Sequence, residues 1–395
     1  MIRMRLRIAF VATSLWCVGL FRSAFALDGN CPFSQYGHDV WQTSEGLPNN
    51  KVQAIAQTPE GYLWLATAEG LARFNGMEFT GFSRRHQPQL HGDNVVALAT
   101  AKEGSLWIAT ADGLCRWRRG RFEASPLQVR GLLFALPLVA AKDGAVWMGG
   151  NRLRRLTENG AESFRMKPEE SVLSVCPSGE GGLWVATAHR VGRWRDGVFM
   201  ELKELSDASG EGSFTSLCED RHGNLWIGST RGLIRFAQGK VAPFKTEDEL
   251  SHAEVRVMLE DREGNLWIGT SYGLNRFSNG RLVRDSEVLP NEFIFSLFED
   301  REGSLWVGTH QGLHRLRDRP VRVYGAKDGL FHEVVQGIVE DSRGKVSVGT
   351  WLGGVYELEN GRFARLAAPS LLNASVKCLY ADREDTLWVG TAAGL

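Results

Sequence analysis

Gly264-Asn-Leu-Trp-Ile-Gly-Thr270 decides the fold, because variants of it return along the whole chain. Gly61-Tyr-Leu-Trp-Leu-Ala-Thr67 opens the series. Its Trp64 is followed by Trp107, Trp147, Trp184, Trp226, Trp267, Trp306, Ser347 in Trp's place, and Trp388. The spacings are 43, 40, 37, 42, 41, 39, 41 and 41 residues. A period near 41 is that of a β-propeller blade, a four-stranded antiparallel sheet.

One unit shows why. Val255-Arg-Val-Met-Leu-Glu260 is short and β-prone and predicts the inner strand, A. Asp261-Arg-Glu-Gly264 is a turn, in which Asp can bond the backbone two residues on. Leu266 to Thr270 predicts strand B, with Trp267 filling the wedge between neighbouring blades. Gly273 to Phe277 predicts strand C, Ser278-Asn-Gly280 a hairpin turn, and Arg281 to Arg284 the outer strand D. One such sheet cannot bury both faces alone, so the units must stack. A helical solenoid of similar period is excluded, because the Gly-rich units leave no stretch of helical periodicity long enough for paired helices.

Composition agrees. The 395 residues include 45 Gly, 12 Pro and 13 Trp and are 43% hydrophobic, which excludes a disordered chain. Lys+Arg and Asp+Glu both number 46. Residues 1–26 carry Arg3, Arg5, Arg7 and Arg22 and no acid, so the remainder holds 42 basic against 46 acidic residues. That balance argues against a nucleic-acid partner, which needs a basic face.

The N-terminus reads as a secretory signal over residues 1–26. Arg3, Arg5 and Arg7 precede the apolar run Ile8 to Leu20, and Ala24-Phe-Ala26 offers a cleavage site. The apolar run is shorter than a membrane span, and cleavage leaves Leu27 as the first residue. Cys31, Cys115, Cys176, Cys218 and Cys378 then remain, with no C-x-x-C pair. Cys176 and Cys218 share a register and are read as two small buried hydrophobes, a disulfide being the alternative.

Trp41-Gln-Thr-Ser-Glu-Gly-Leu-Pro48, Val52-Gln-Ala-Ile55, Gly70-Leu-Ala-Arg-Phe74, and the copies at Glu260–Thr270 and Glu299–Thr309 resemble the two-component regulator propeller family. The resemblance covers about residues 35 to 395. It implies a periplasmic ligand-sensing propeller. In that family an immunoglobulin-like module, a transmembrane helix and a histidine kinase or diguanylate cyclase follow. The resemblance therefore implies a sensor truncated before those parts, anchored in the inner membrane through them and dimerising through them. Departures from the repeat are Ser347, Asp385 at the turn Gly, and a degenerate third unit at Gly149-Gly-Asn-Arg-Leu153.

Chemistry-bearing patterns are sparse. His310 and His314 flank a B–C turn and read as a solvated turn rather than a metal site. Gly353-Gly354 reads as a turn pair with positive φ. Asp220, Asp261, Asp300, Asp341 and Asp382 all precede the same turn, which is one structural role repeated. Earlier units use Thr58, Ala101, Ala141 and Ser178 there. The repeated Trp and Phe are core staples rather than an aromatic cage. No phosphate-binding or nucleophile-elbow motif appears, and no cofactor is implied.

Variation inside the repeat points to a ligand-binding face. Glu69, Asp112, His189, Arg231, Tyr272 and Gln311 sit in B–C turns between repeating framework residues. They would ring the channel mouth with mixed charge and hydrogen bonding. The alternative is that exposed turns drift freely. The leading function is an extracytoplasmic sensor taking a small-molecule, oligosaccharide or peptide ligand. A propeller lyase or glycan-cleaving enzyme, needing convergent acids or a His–Glu pair, and a structural interaction platform are the alternatives.

Nine units in one ring would be unusual. Glu45-Gly-Leu47 before Val52-Gln-Ala-Ile55 is matched by Asp328-Gly-Leu330 before Val335-Gln-Gly-Ile338. The fold class is therefore all-β: a seven-bladed β-propeller of four-stranded antiparallel blades over residues 27–324, then the start of a second ring over 325–395. Residues 36–42 should close the first ring by pairing with the strand near Gly312 to Leu316.

Overall fold

The computed structural model of the protein describes residues 26–394, except 126, 128–136, 158–159, 167–169, 206–211, 245–249, 286–287, 320, 322, 333 and 360. The signal over residues 1–26 thus lies almost wholly outside the described residues.

The protein is an all-β propeller. Among the described residues there are eight four-stranded antiparallel sheets and a ninth of two strands. The sixth sheet is typical: Val255–Glu260, Leu266–Thr270, Gly273–Ser278 and Arg281–Arg284 pair in that order. Inner strands of the first seven sheets touch in chain order, and the seventh's Ile294–Glu299 touches the first's Val52–Gln57, so the contacts return to their start. The seventh sheet takes its outer strand from the N-terminus. Gly37–Trp41 pairs antiparallel with Leu313–Arg317, Gly37 opposite Arg317 and Trp41 opposite Leu313. This pairing covers Leu313–Arg317, which would otherwise be an open edge, and makes Gly37–Trp41 the outer strand of the seventh sheet.

The turn Asp does more than cap a turn. Asp261 Oδ1 accepts the amides of Glu263 and Asn265 at 3.0 and 2.9 Å, and Oδ2 accepts the Trp267 indole N–H at 2.7 Å. Asp220–Trp226, Asp300–Trp306 and Asp382–Trp388 repeat that indole bond at 2.9, 2.7 and 2.8 Å. Each Asp thus fixes both the turn and the staple. Where the unit has Ser178, the Trp184 indole turns to Glu219 of the next sheet.

The residue after the Asp reaches across to the next blade. Arg221 bonds Glu260 by its amide and Nε at 2.8 and 3.0 Å, and the Arg262 amide bonds Glu299 at 3.0 Å. Arg301 bonds Gln57 Oε1 at 3.1 Å and the Pro59 carbonyl at 2.7 Å, repeating the link between the seventh sheet and the first. Between the last two sheets Ser342 and Arg343 bond Asp385, the residue standing where the repeat has Gly.

Three expectations need correction. Trp64, Trp226, Trp267 and Trp306 are buried, but Trp147 and Trp184 are half-buried and Trp388 is 45% exposed, its sheet meeting only the eighth among the described residues. His314 is not solvated: it is 6% exposed and stacked on His38. Gly354 takes a positive φ of 78° while Gly353 does not; a side chain at Gly353 would collide with Thr350 and His332. The degenerate third unit still forms a four-stranded sheet, with its second strand cut to Val146–Met148. Cys176 and Cys218 carry free thiols, and burial pushes the Cys176 thiol up to about 11.

Candidate ligand-binding face

Every B–C turn but that of the third sheet, which has Gly149-Gly150, is built by one hydroxyl. Thr270 Oγ1 donates to the Gly273 carbonyl at 2.9 Å and accepts the Tyr272 amide at 3.2 Å. Thr67, Thr110, Ser229 and Thr309 make the same two bonds around Glu69, Asp112, Arg231 and Gln311. In the fourth sheet Thr187 bonds the Arg190 amide and carbonyl, with His189 at the turn's tip. The backbone is thereby held the same way whatever side chain the turn carries. Glu69, Asp112, His189, Arg231, Tyr272 and Gln311 are all exposed at the same end of their sheets.

A second set of variable residues escaped the sequence reading. Inner strands carry a register shift at their first step: between Val52 and Ala54, Phe214 and Ser216, Val255 and Val257, and Ile294 and Ser296. Such a bulge re-aims one side chain out of the ladder. The residues so turned are Gln53, Thr215, Arg256 and Phe295. Gln53 Nε2 reaches Asn94 and the Val95 carbonyl of the next sheet, both at 2.8 Å. The available signal was the broken alternation at the second strand-A residue.

These two sets converge over the sixth, seventh and first sheets. The Arg256 guanidinium lies 4.3 Å over the Phe293 ring, Phe293 is 4.7 Å from Phe295, and Lys51 Nζ lies 5.0 Å over Phe295. Arg256 pairs with Glu254 at 2.7 Å, whose other oxygen accepts the Ser271 hydroxyl at 2.7 Å. His252 packs 5.1 Å from Tyr272, which is 55% exposed. His310 stands 3.4 Å from Glu292 and next to Gln311. The patch offers one exposed ring, Tyr272, and two half-buried ones, Phe293 and Phe295, each beneath a cation, a surface suited to packing and orienting a polar ligand.

The two-component regulator propeller family matches residues 46–69, 209–231, 249–272, 288–311 and 370–393. The chain carries two-component regulator propeller repeats. Four of the five matched segments end on Glu69, Arg231, Tyr272 and Gln311, so each repeat closes at a B–C turn. Among solved structures, the extracellular domain described as hybrid two component system BT3049 from B. thetaiotaomicron is similar at 21% identity and TM-score 0.66; the match covers 90% of this chain and 52% of that one. The extracellular domain of BT4673 from the same organism, described as a one component system, is similar at 20% identity and TM-score 0.60, covering 91% and 51%. Virginiamycin B lyase from Staphylococcus aureus shares 16% identity and TM-score 0.57, covering 71% of this chain and 99% of its own. The chain spans about half the length of the first two, and at these identities the likeness is one of fold. A search of curated proteins finds no match. Among the described residues no helix is long and apolar enough to cross a membrane.

Proposed function

We propose that this chain is the ligand-sensing propeller of an extracytoplasmic signal-transduction receptor, exported by its N-terminal leader to the periplasm. Residues 27–324 are its ring, and residues 325–395 belong to a second unit. The reading is carried by one observation: the hydroxyl-built B–C turn is constant while its exposed residue changes from sheet to sheet. A turn kept only for folding has no need of acid, base, amide and aromatic side chains on one rim. The regulator propeller repeats and the likeness to extracellular domains support the same reading.

Thermal shift with oligosaccharides, peptides and small organic acids tests it. A ligand that raises the melting temperature should lose that effect in Tyr272→Ala or Arg256→Ala, whose unliganded melting temperatures stay near the parent's. Binding that survives both substitutions would place the site elsewhere.

The enzyme reading has one observation in its favour, the His310–Glu292 pair at 3.4 Å on this face. Elimination or glycan cleavage also needs a second acid or base within reach, and the neighbouring Glu254 is held by Arg256 and Ser271. Turnover of a bound ligand, abolished by His310→Ala, would favour the enzyme over the sensor.

A further inference from the structure

A cleft of about 530 Å3 opens at the rim of the propeller, away from the B–C turns. One wall is the outer strand of the sixth sheet, Arg281–Arg284, with Arg276 behind it. A second is the N-terminal segment from Gly29 to Ser34, and Arg362 of the eighth sheet lines it from the other side. The eighth sheet is held against the N-terminal segment here. The Gln35 amide donates to Asp328 at 2.9 Å and to the Val323 carbonyl at 3.1 Å, and Gly361 packs on Pro32.

The charge of this cleft is unbalanced. Arg276 is only 3% exposed; its Nη1 donates to the Cys31 carbonyl and the Tyr36 hydroxyl, while its buried Nε has no hydrogen-bond partner. Its guanidinium lies among Phe33, Tyr36 and Trp267, which attract a cation but do not neutralise it. A buried cation lacking a carboxylate is costly unless a counter-charge is supplied. Arg281 and Arg362 are exposed and form no ion pair among the described residues, whereas Arg284 leaves the opposite face of its strand, with Leu282. The one acid in the lining, Asp285, already accepts the amides of Val288 and Leu289 at 2.9 and 2.6 Å.

We infer that this cleft binds a small ligand carrying two or more phosphate or sulfate groups, bridging Arg281 on one wall to Arg362 on the other, with Arg276 behind them. Guanidinium forks match such oxyanions in geometry, and several facing cations discriminate a multivalent anion from a monovalent one. Because Arg362 belongs to the eighth sheet, the bound anion clamps that sheet against the ring. The site is separate from the B–C face and does not rest on its being a receptor surface.

Titration calorimetry of the whole chain with tripolyphosphate, and separately with a disulfated disaccharide, tests the inference and distinguishes phosphate from sulfate as the preferred group. Arg281→Gln and Arg362→Gln should each weaken binding about tenfold or more, as expected for loss of a charge-assisted contact. These residues are exposed, so folding is preserved. The paired substitution Arg119→Gln and Arg121→Gln, on the equally basic hairpin of the second sheet, should leave binding unchanged. Absence of binding to either probe at low ionic strength would overturn the site. Binding unaffected by Arg362→Gln would overturn the bridge, and equal weakening by the second-sheet pair would reduce it to diffuse surface attraction.

Discussion

At the scale of single residues, Asp261 and Trp267 show how one short motif does two jobs. The carboxylate ties two turn amides with one oxygen and the indole with the other, so turn geometry and staple position are set together. Trp267→Ala is expected to destabilise the protein by roughly 3–5 kcal/mol, as for other fully buried large-to-small changes. Trp388, with the same Asp bond but 45% exposed, should cost less than about 1 kcal/mol when truncated. Chemical denaturation of the two variants checks this; equal losses would mean that burial between sheets is not what the staple contributes. Asp261→Ala should cost about 1–3 kcal/mol, because it leaves a buried indole N–H unpaired.

At the scale of elements, the seam between Gly37–Trp41 and Leu313–Arg317 is the joint on which the seven-sheet contact cycle depends. Asp39 accepts Arg315 Nε and Nη2 at 3.0 and 2.7 Å and Arg317 Nε at 3.1 Å; burial opposes its charge, but these bonds outweigh it and lower its pKa. His38 Nε2 and His314 Nδ1 lie 2.9 Å apart across the seam. Burial, and then the neighbouring His38, push His314 down to about 3; burial likewise lowers His38, against the opposing pull of Asp285 and Asp39. The folded seam therefore prefers neutral imidazoles, while the unfolded chain takes up protons near pH 6.5. Stability from this pair is present above about pH 6.5 and is lost progressively as pH falls toward 3. The melting temperature should decline between pH 6.5 and 5, and His314→Leu should flatten that decline. An unchanged slope in the variant would remove the histidine pair as its cause.

At the scale of the molecule, the first seven sheets and the last two differ in how well they are covered. Inner-strand positions buried in the ring have exposed counterparts beyond it: Ile55 is 8% exposed, Ile338 is 68%. Cooperative unfolding follows shared burial, so the last two sheets should open more readily than the ring. Hydrogen exchange should be faster in Val376–Ala381 than in Val255–Glu260 by at least an order of magnitude. Equal protection would show that the two parts unfold as one.

Much of this architecture was legible in the sequence because it is local and repeated. The Trp period, the Asp and Gly of each turn, and the alternation of short strands depend on near neighbours, and nine copies average out the exceptions. Even the seam was readable, since the acid-Gly-Leu marker recurs; its copies build matching 3-10 turns over Thr43–Glu45 and Ala326–Asp328, each closed by a left-handed glycine. The six turn residues of the candidate face were legible for the same reason. Tertiary structure alone decided what depends on partners distant in the chain. Pairing of His314 with His38 spans 276 residues, and the cleft draws its arginines from the sixth and eighth sheets and its floor from the N-terminus. The meeting of Arg256 with Phe293 across the sixth and seventh sheets is likewise a contact between neighbouring units. A repeat specifies the unit and its order in the chain; which surfaces meet is set by the closing of the ring, which no single unit contains.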